Sequence, residues 1–188
     1  MVPLQLRQPS RDLLPDYVNA LERGWSADNV RGASAAAEEL RQIACDADAF
    51  VALMDDRDAK GAPITMPDGS TVPRLPGYRR WLWDGEFCGS IGFRWQRGAS
   101  ALPGYVLGHI GYSVVPWKQR RGYATRALAL LLPEARREGL RHVDITTDPD
   151  NLASQKVILA NGGRQVGPFH RVPAYGDDTL HLLFRIDL

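Results

Sequence analysis

The sequence has few of the residues that cross-link a chain or bind a metal. Among its 188 residues only two are cysteines, Cys45 and Cys88. Their spacing fits neither a disulfide framework nor a pair of metal ligands, which excludes a disulfide-stapled scaffold and a cysteine-based metal site. Unpaired thiols suit a reducing compartment, so we predict a cytoplasmic protein.

Long hydrophobic runs and an excess of one charge are also absent. The longest apolar run, residues 127–132, is far shorter than the ~20 residues that cross a bilayer, and residues 1–15 lack the apolar core of a signal peptide. The formal net charge is only +1, with lysines and arginines spread along the chain. We therefore predict a soluble protein whose partners are neither membranes nor nucleic acids.

What the sequence does contain suits one domain over residues 1–188. A hydrophobic content of 44% can close a single core without staples. Residues 1–60 have mainly helical periodicity, whereas short β-type runs dominate residues 78–188. Helices are predicted over residues 11–23, 33–54 (one helix or two shorter ones), 123–138 and 152–160. Strands are predicted over residues 78–83, 86–95, 106–115, 141–147, 164–169 and 179–186.

Glycines and prolines mark the connections between these elements. An Asp-Gly pair at residues 84–85 predicts a hairpin between the first two long strands. The proline-rich residues 60–77 predict a loop or an irregular hairpin. Pro133 removes a helical hydrogen bond, so the helix over residues 123–138 is expected to kink there or end early. Asn151 is expected to cap the following helix.

One glycine-containing turn carries the chemical signal of the sequence. It follows a strand that ends at Val115-Pro116 and opens a helix. Free N–H groups at such a turn lie at the positive end of the helix dipole, where phosphate or pyrophosphate binds. An ordinary turn is the alternative, because the pattern alone has low specificity. The turn consists of Gln119, Arg120, Arg121, Gly122, Tyr123 and Ala124.

With its neighbours, the turn resembles a known superfamily. The sequence has GHIGYSVVP at 108–116, QRRGYA at 119–124, NLAS at 151–154 and NGG at 161–163. These motifs, in this order, resemble the GNAT superfamily of acyl-CoA N-acyltransferases, and look most like a bacterial branch of predicted acetyltransferases. The resemblance implies an α/β (α+β) fold with a mostly antiparallel mixed central sheet, a splayed cofactor cleft and flanking helices. It also implies acetyl-CoA as the cofactor.

The resemblance implies a cofactor site built mainly from backbone groups. The pantetheine arm would bind the main chain of Tyr112, Val114 and Val115. The amides of the turn would hold the pyrophosphate, with Gly122 allowing an approach that a Cβ would block. Three cations beside the turn either add charge at the phosphates or form a solvated basic surface: Lys118, Arg120 and Arg121.

The same resemblance assigns two residues near the thioester and shows two departures. Asn151 would reach the pantetheine as well as cap its helix. Ser154 would either bind the cofactor or protonate the departing thiolate. Many relatives carry a tyrosine acid where this chain has Ile158, which leaves Ser154 or a water as the acid. Several relatives carry a glutamate base where this chain has Gly108.

The sequence does not identify the general base. His109, on the strand before the turn, has a side chain whose ordinary pKa near ~6.5 suits proton removal at neutral pH. A structural histidine bonded to neighbouring backbone is the alternative reading. Glu86 and Asp84 are further candidates, although the Asp-Gly turn accounts for Asp84 by itself.

Residues 1–60 form the acceptor side in the resemblance. Trp25, in the loop after the first helix, and Trp81, Trp83 and Trp95 either line the acceptor site or belong to the core. Acidic residues near the ends of the second helical region either steer a cationic amine or form a solvated surface: Asp46, Asp48, Asp55, Asp56 and Asp58.

The implied activity is N-acetyl transfer from acetyl-CoA to a primary amine of a small molecule or peptide. The amine would attack directly in a ternary complex, without a metal. A catalytically impaired sensor of CoA or acyl-CoA is the alternative, because of Ile158 and Gly108. An ATP- or NAD-binding protein is disfavoured, since the Walker Lys-Ser pair and GxGxxG are missing. The assembly state is open, a homodimer being one option.

Overall fold

Two antiparallel sheets with helices packed against them make up the protein. The computed structural model describes residues 3–28, 30–176 and 179–188. The helices are α1 (Leu14–Glu22), α2 (Ala33–Cys45), α3 (Ala47–Ala52), α4 (Tyr123–Arg137) and α5 (Leu152–Leu159). The strands are β1 (Gln5–Arg7), β2 (Asp55–Asp56), β3 (Ile64–Thr65), β4 (Thr71–Val72), β5 (Gly77–Trp83), β6 (Phe87–Arg94), β7 (Ile110–Val114), β8 (His142–Thr147), β9 (Arg164–His170) and β10 (Leu180–Asp187).

The larger sheet has the order β1-β5-β6-β7, and β2 also pairs with β5. The smaller sheet has the order β8-β10-β9, and β3 pairs with β4 in a separate hairpin. The paired strands within these sheets run antiparallel. The predicted fold class, a mostly antiparallel sheet structure with flanking helices, is therefore confirmed.

Apolar side chains fill both faces of the larger sheet. On one face, Leu128 and Leu131 of α4 pack in a cluster with residues of both sheets. On the other face, Tyr17 of α1 stacks on Trp81 of β5, with ring centroids 4.8 Å apart. Both aromatic side chains are fully buried. This second cluster fixes the N-terminal helices to the sheet through the hydrophobic effect.

Most predicted elements are confirmed, one of the two outcomes expected at Pro133 does not occur, and one strand boundary was wrong. The helix over residues 123–138 does not end early at Pro133, because α4 continues to Arg137. Pro133 and Ala129, whose carbonyl loses its partner, are both exposed, so water can satisfy that carbonyl. The strand predicted over residues 106–115 begins only at Ile110. Within the described residues, no helix is both long and apolar enough to span a membrane.

Candidate functional site

A cleft separates the edge strands β7 and β8 of the two sheets. The sheets touch where Gly108 and Ile145 form an isolated β-bridge and where His109 N–H donates to Asp144 O at 2.7 Å. A Cβ on Gly108 would lie 2.9 Å from Asp144 O, and the φ of Gly108 is +154°, so this close approach needs glycine. Past this contact β7 pairs with β6 and β8 pairs with β10. The two strands therefore diverge, which confirms the predicted splayed cleft.

The backbone of β7 presents hydrogen-bonding groups to this cleft. Val115 donates its N–H to Cys88 O at 3.0 Å, which fixes the phase of the antiparallel β6–β7 ladder. Because alternate residues of a strand turn their backbone groups to opposite sides, those of Tyr112 and Val114 point away from β6. They point into the cleft, where an extended ligand can bind as an added strand would.

Val115 has no free backbone group for the cofactor. Its N–H is donated to Cys88 O, its carbonyl accepts the N–H of Lys118 at 2.9 Å, and its side chain is fully buried. The sequence assignment of Val115 to the pantetheine arm therefore lacks a physical basis. Val114 and Val115 turn their backbone groups to opposite sides of the strand. The sequence alone does not show which of them faces β6.

The turn before α4 exposes backbone donors at a helix start. Gly122 and Arg120 both adopt left-handed conformations, with φ of +75° and +61°. Arg126 donates the first helical hydrogen bond to Gly122 O, so the N–H groups of Tyr123 and Ala124 have no partner within the helix. These donors lie at the positive end of the helix dipole, an arrangement that suits an anion.

One side-chain contact places the turn next to the cleft. The Gln119 side chain donates to Val114 O at 3.2 Å, which links the turn to the last residue of β7. The side chains of Arg120 and Arg121 are exposed beside the free N–H groups. Backbone donors of the turn and of β7 thus form one continuous surface, which fits a ligand with an extended arm and a pyrophosphate.

A buried ionic cluster lies behind the turn. Lys118 Nζ lies 3.1 Å from both carboxylate oxygens of Asp84, and Tyr123 donates its hydroxyl to Asp84 at 2.5 Å. The side chains of Lys118 and Asp84 are only 8% and 10% exposed. Burial disfavours the charged form of Asp84, but hydrogen bonds from Tyr123, Cys88 and Lys118 outweigh it and lower the Asp84 pKa to about 2.

The cluster changes three of the sequence predictions. Lys118 is neither a phosphate ligand nor part of a solvated surface, because its ammonium is committed to Asp84 and, at 2.5 Å, to Glu86. Asp84 is more than a residue of the Asp-Gly hairpin, since it binds Lys118 just before the glycine-containing turn and Tyr123 within it. A carboxyl group with this low pKa is a poor proton acceptor at neutral pH, so Asp84 does not suit the role of base.

Ser154 lies beside the hydroxyl of Tyr112. The two side-chain oxygens are 2.9 Å apart, and burial raises the Tyr112 pKa to about 12. Ser154 is oriented from α5, where its N–H donates to Asn151 Oδ1 at 3.0 Å, so the predicted N-cap is confirmed. Ile158, on the same helix, is fully buried in the core. Tyr112 thus brings a phenol to Ser154 from β7.

His109 is enclosed in the protein interior. It has no exposed surface, and its Nδ1 accepts the backbone N–H of Asp144 at 2.9 Å. Burial lowers the His109 pKa to about 4 by disfavouring the imidazolium form. This geometry matches the structural alternative. His109 therefore does not suit the role of general base.

The opposite face of β7 meets the N-terminal helices. Trp25 donates its indole N–H to Ser113 Oγ at 3.0 Å, and Ser113 donates to Ser26 O at 3.3 Å. These contacts hold the loop after α1 against β7, one residue from the groups that face the cleft. Trp25, Trp81 and Trp95 are buried, so they are core residues, and Trp83 packs against the same core.

The sequence does not reveal the side chains that act through tertiary contacts. The Tyr112 hydroxyl, the indole bond to Ser113 and the cluster around Asp84 join residues that lie far apart in the chain. Alternation along β7 could have indicated Ser113, since it places Ser113 on the face opposite Tyr112. No sequence pattern indicates the pairing of Asp84 with Lys118.

One protein-family model covers most of the chain. A family model described as "Acetyltransferase (GNAT) domain" matches residues 4–164. No curated protein matches the chain.

Solved structures share the fold at low sequence identity. RimL, a ribosomal L7/L12 α-N-protein acetyltransferase in complex with coenzyme A, has a TM-score of 0.66 at 17% identity over 100% of this chain and 96% of that one. A Salmonella typhimurium acetyltransferase described as modifying the N-terminal serine of L7/L12 has a TM-score of 0.65 at 17% identity, covering 100% and 98%. The microcin C7 self-immunity acetyltransferase MccE, with acetyl-CoA and AMP, has a TM-score of 0.64 at 12% identity, covering 98% and 92%.

Proposed function

Because the chain belongs to the GNAT acetyltransferase family, we propose that it acetylates a primary α-amine, such as a peptide N-terminus, by direct attack in a ternary complex. The main support for this proposal is the cleft between β7 and β8. The backbone groups of Tyr112 and Val114 lie on its wall, and the open N–H groups of the turn lie at its mouth. Acetyl-CoA supplies a thioester whose carbonyl an amine attacks and whose thiolate departs.

The backbone of β7 and the turn would hold this donor. The cleft-facing N–H and C=O groups of Tyr112 bind the extended arm, as an added strand is bound. The N–H groups from Arg120 to Ala124 bind the pyrophosphate, with charge from the exposed Arg120 and Arg121. The N–H of Val114 lies at the end of β7 next to the turn, and we assign it to the carbonyl oxygen on which negative charge develops.

Ser154 and Tyr112 are the proposed proton donors. The Ser154 hydroxyl would donate to the departing sulfur, and the Tyr112 hydroxyl, 2.9 Å from Ser154 Oγ, would then be the donor within this pair. Burial keeps Tyr112 protonated at neutral pH, since its pKa is raised to about 12. A thiolate is a stable leaving group, so this contact is expected to contribute less to the rate than an acid does in amide cleavage.

The fraction of amine that is neutral at pH 7 favours an α-amine over a lysine side chain as the acceptor. An α-amino group with a pKa near ~7.8 is about one-seventh neutral at pH 7, whereas a lysine amine with a pKa near ~10.4 is neutral in only about one molecule in 2,500. His109 and Asp84 do not suit the role of base in this chain. Water can carry the proton away from an α-amine, and the RimL neighbour is itself described as an α-N-protein acetyltransferase.

The proposal is tested by thiol release. Purified protein is mixed with acetyl-CoA and either a short peptide with a free N-terminus or the same peptide with a blocked N-terminus and an internal lysine. We expect free thiol and an acetylated product from the first peptide. Turnover of the lysine peptide alone would contradict the α-amine assignment.

A sensor function is the second candidate, and it rests on the core position of Ile158 and the burial of His109. A sensor binds acetyl-CoA but transfers nothing. Calorimetric binding of acetyl-CoA, combined with no thiol release across the peptide panel, would favour the sensor over the enzyme.

A further inference from the structure

A groove with a bare floor crosses β6 and β7 on the face opposite α4. Gly92 and Gly111 pair directly across the two strands. A Cβ on Gly92 would meet only two backbone oxygens, both at 3.9 Å, among the described residues. Ser113, two residues after Gly111, is on the same face and bonds to Trp25. The missing side chains leave room for an extended ligand that runs along β7.

Arg94 is the charged group over this floor. A Cβ on Gly111 would lie 3.9 Å from an Arg94 Nη atom, so the guanidinium lies beside β7. The Arg94 side chain is exposed, yet desolvation by the surrounding protein and then the charge of Arg79 lower the Arg94 pKa, and Tyr175 and Asp28 oppose this shift. An exposed guanidinium that lies against β7 is open to a ligand running along this floor.

Arg79 and Arg94 differ in their partners. Arg79 contacts Glu39 at 3.3 Å and the Tyr17 hydroxyl at 3.3 Å, so its charge is balanced within the protein. Arg94 makes no side-chain hydrogen bond or ion pair with the described part of the chain, and Asp28 is bonded to Arg31 at 2.9 Å. Within the described residues, the positive charge of Arg94 is therefore not balanced by an ion pair.

We propose that Arg94 binds a carboxylate of the acceptor and thereby selects amines that carry one. A guanidinium presents a planar fork that matches a carboxylate in two parallel hydrogen bonds. From Gly111, beside Arg94, to Val114, where we place the thioester carbonyl, is three residues of strand, or about 10 Å. In a peptide whose second residue is glutamate, the distance from the N-terminal amine to the glutamate carboxylate is of this order. The inference rests on the proposed function for the position of the reacting amine.

The test compares two acceptors that differ only in charge. Ala-Glu-amide and Ala-Gln-amide are measured by thiol release and, separately, by calorimetric binding to the CoA-loaded protein. The variants are Arg94→Gln and Arg94→Lys. Arg137→Gln is the matched control, because Arg137 is an exposed arginine on α4, against the other face of the sheet.

The native protein is expected to prefer Ala-Glu-amide by about tenfold or more in kcat/KM and in binding, as for a charge-assisted hydrogen bond. Arg94→Gln should abolish this preference without changing the affinity for acetyl-CoA, Arg94→Lys should retain part of it, and Arg137→Gln all of it. Equal binding of both peptides to the native protein, or a preference that survives Arg94→Gln, would overturn the inference. A binding preference without thiol release would instead overturn the proposed enzyme and leave the Arg94 site intact.

Discussion

Neighbouring residues of β7 have different roles because a strand alternates. Tyr112 and Val114 turn backbone groups into the cleft, whereas the N–H and the carbonyl of Val115 are both hydrogen-bonded within the protein. Ser113 faces the N-terminal helices and accepts the indole N–H of Trp25. A shift of the β6–β7 register by one residue would exchange these roles, so the cleft depends on that register.

Replacing Ser154 with alanine is expected to lower kcat by about tenfold, with little change in acetyl-CoA affinity. The substitution removes the hydroxyl that we place next to the departing sulfur and leaves the backbone contacts intact. Steady-state kinetics and calorimetry measure the two effects. Tyr112→Phe, which removes only the phenolic oxygen at 2.9 Å, should have a smaller effect of the same kind. Equal losses in kcat and affinity would reduce Ser154 to a binding group.

Replacing Asp84 with asparagine is expected to lower the free energy of unfolding by about 2 kcal/mol at pH 7. The depressed Asp84 pKa of about 2 stabilises the fold above the ordinary pKa of the group, 3.8, and this contribution is lost as the pH falls from there toward 2. Urea unfolding of both proteins between pH 7 and pH 2.5 measures it. A difference that stays constant over this range would contradict the assigned cause.

At the scale of the element, the turn and α4 form one unit. A glycine in the left-handed conformation lies at each end of the helix: Gly122 precedes it, and Gly139, with a φ of +83°, follows it. Its buried face, formed by Leu128, Leu131 and Ala135, keeps α4 continuous through Pro133. Asp84 braces the start of this unit from behind, which leaves the front free for a ligand.

Replacing Gly122 with alanine is expected to lower acetyl-CoA affinity by more than tenfold. The added Cβ meets open space in the protein, so the fold loses only about 1 kcal/mol from the left-handed φ of +75°. Gly139→Ala is the control, because its Cβ also meets open space at a similar φ but lies at the far end of α4. Unchanged acetyl-CoA affinity in the Gly122 variant would remove the turn from the proposed site.

At the scale of the whole molecule, the cleft exists because two sheets touch at one point and then diverge. Gly108 permits this contact, since its Cα lies against the backbone of Asp144. Arg185 of β10 donates to both carboxylate oxygens of Asp144, at 2.7 and 2.9 Å, and so anchors the same point from within the smaller sheet. The angle of the cleft is thus a property of the packing of both sheets.

Replacing Gly108 with alanine is expected to destabilise the protein by several kcal/mol and to weaken acetyl-CoA binding. The new Cβ would lie 2.9 Å from a backbone oxygen, so the sheets must move apart. Gly167→Ala is the control, because Gly167 has a nearly identical φ of +152° with no atom near its Cβ. Thermal unfolding and calorimetry distinguish the two, and equal destabilisation would contradict the role of Gly108.

The sequence by itself determined the order of helices and strands, the hairpin at residues 84–85, the N-cap at Asn151 and the position of the turn. These features depend on periodicity and on the local conformations of glycine, proline and asparagine, which act within a few residues. Tertiary structure alone decided the rest: the assignment of Lys118 to Asp84, the burial of His109, the meeting of Tyr112 with Ser154, and the groove under Arg94. Each depends on which distant segments pack together and which side of a strand faces them, because burial and charge pairing are properties of the assembled layers.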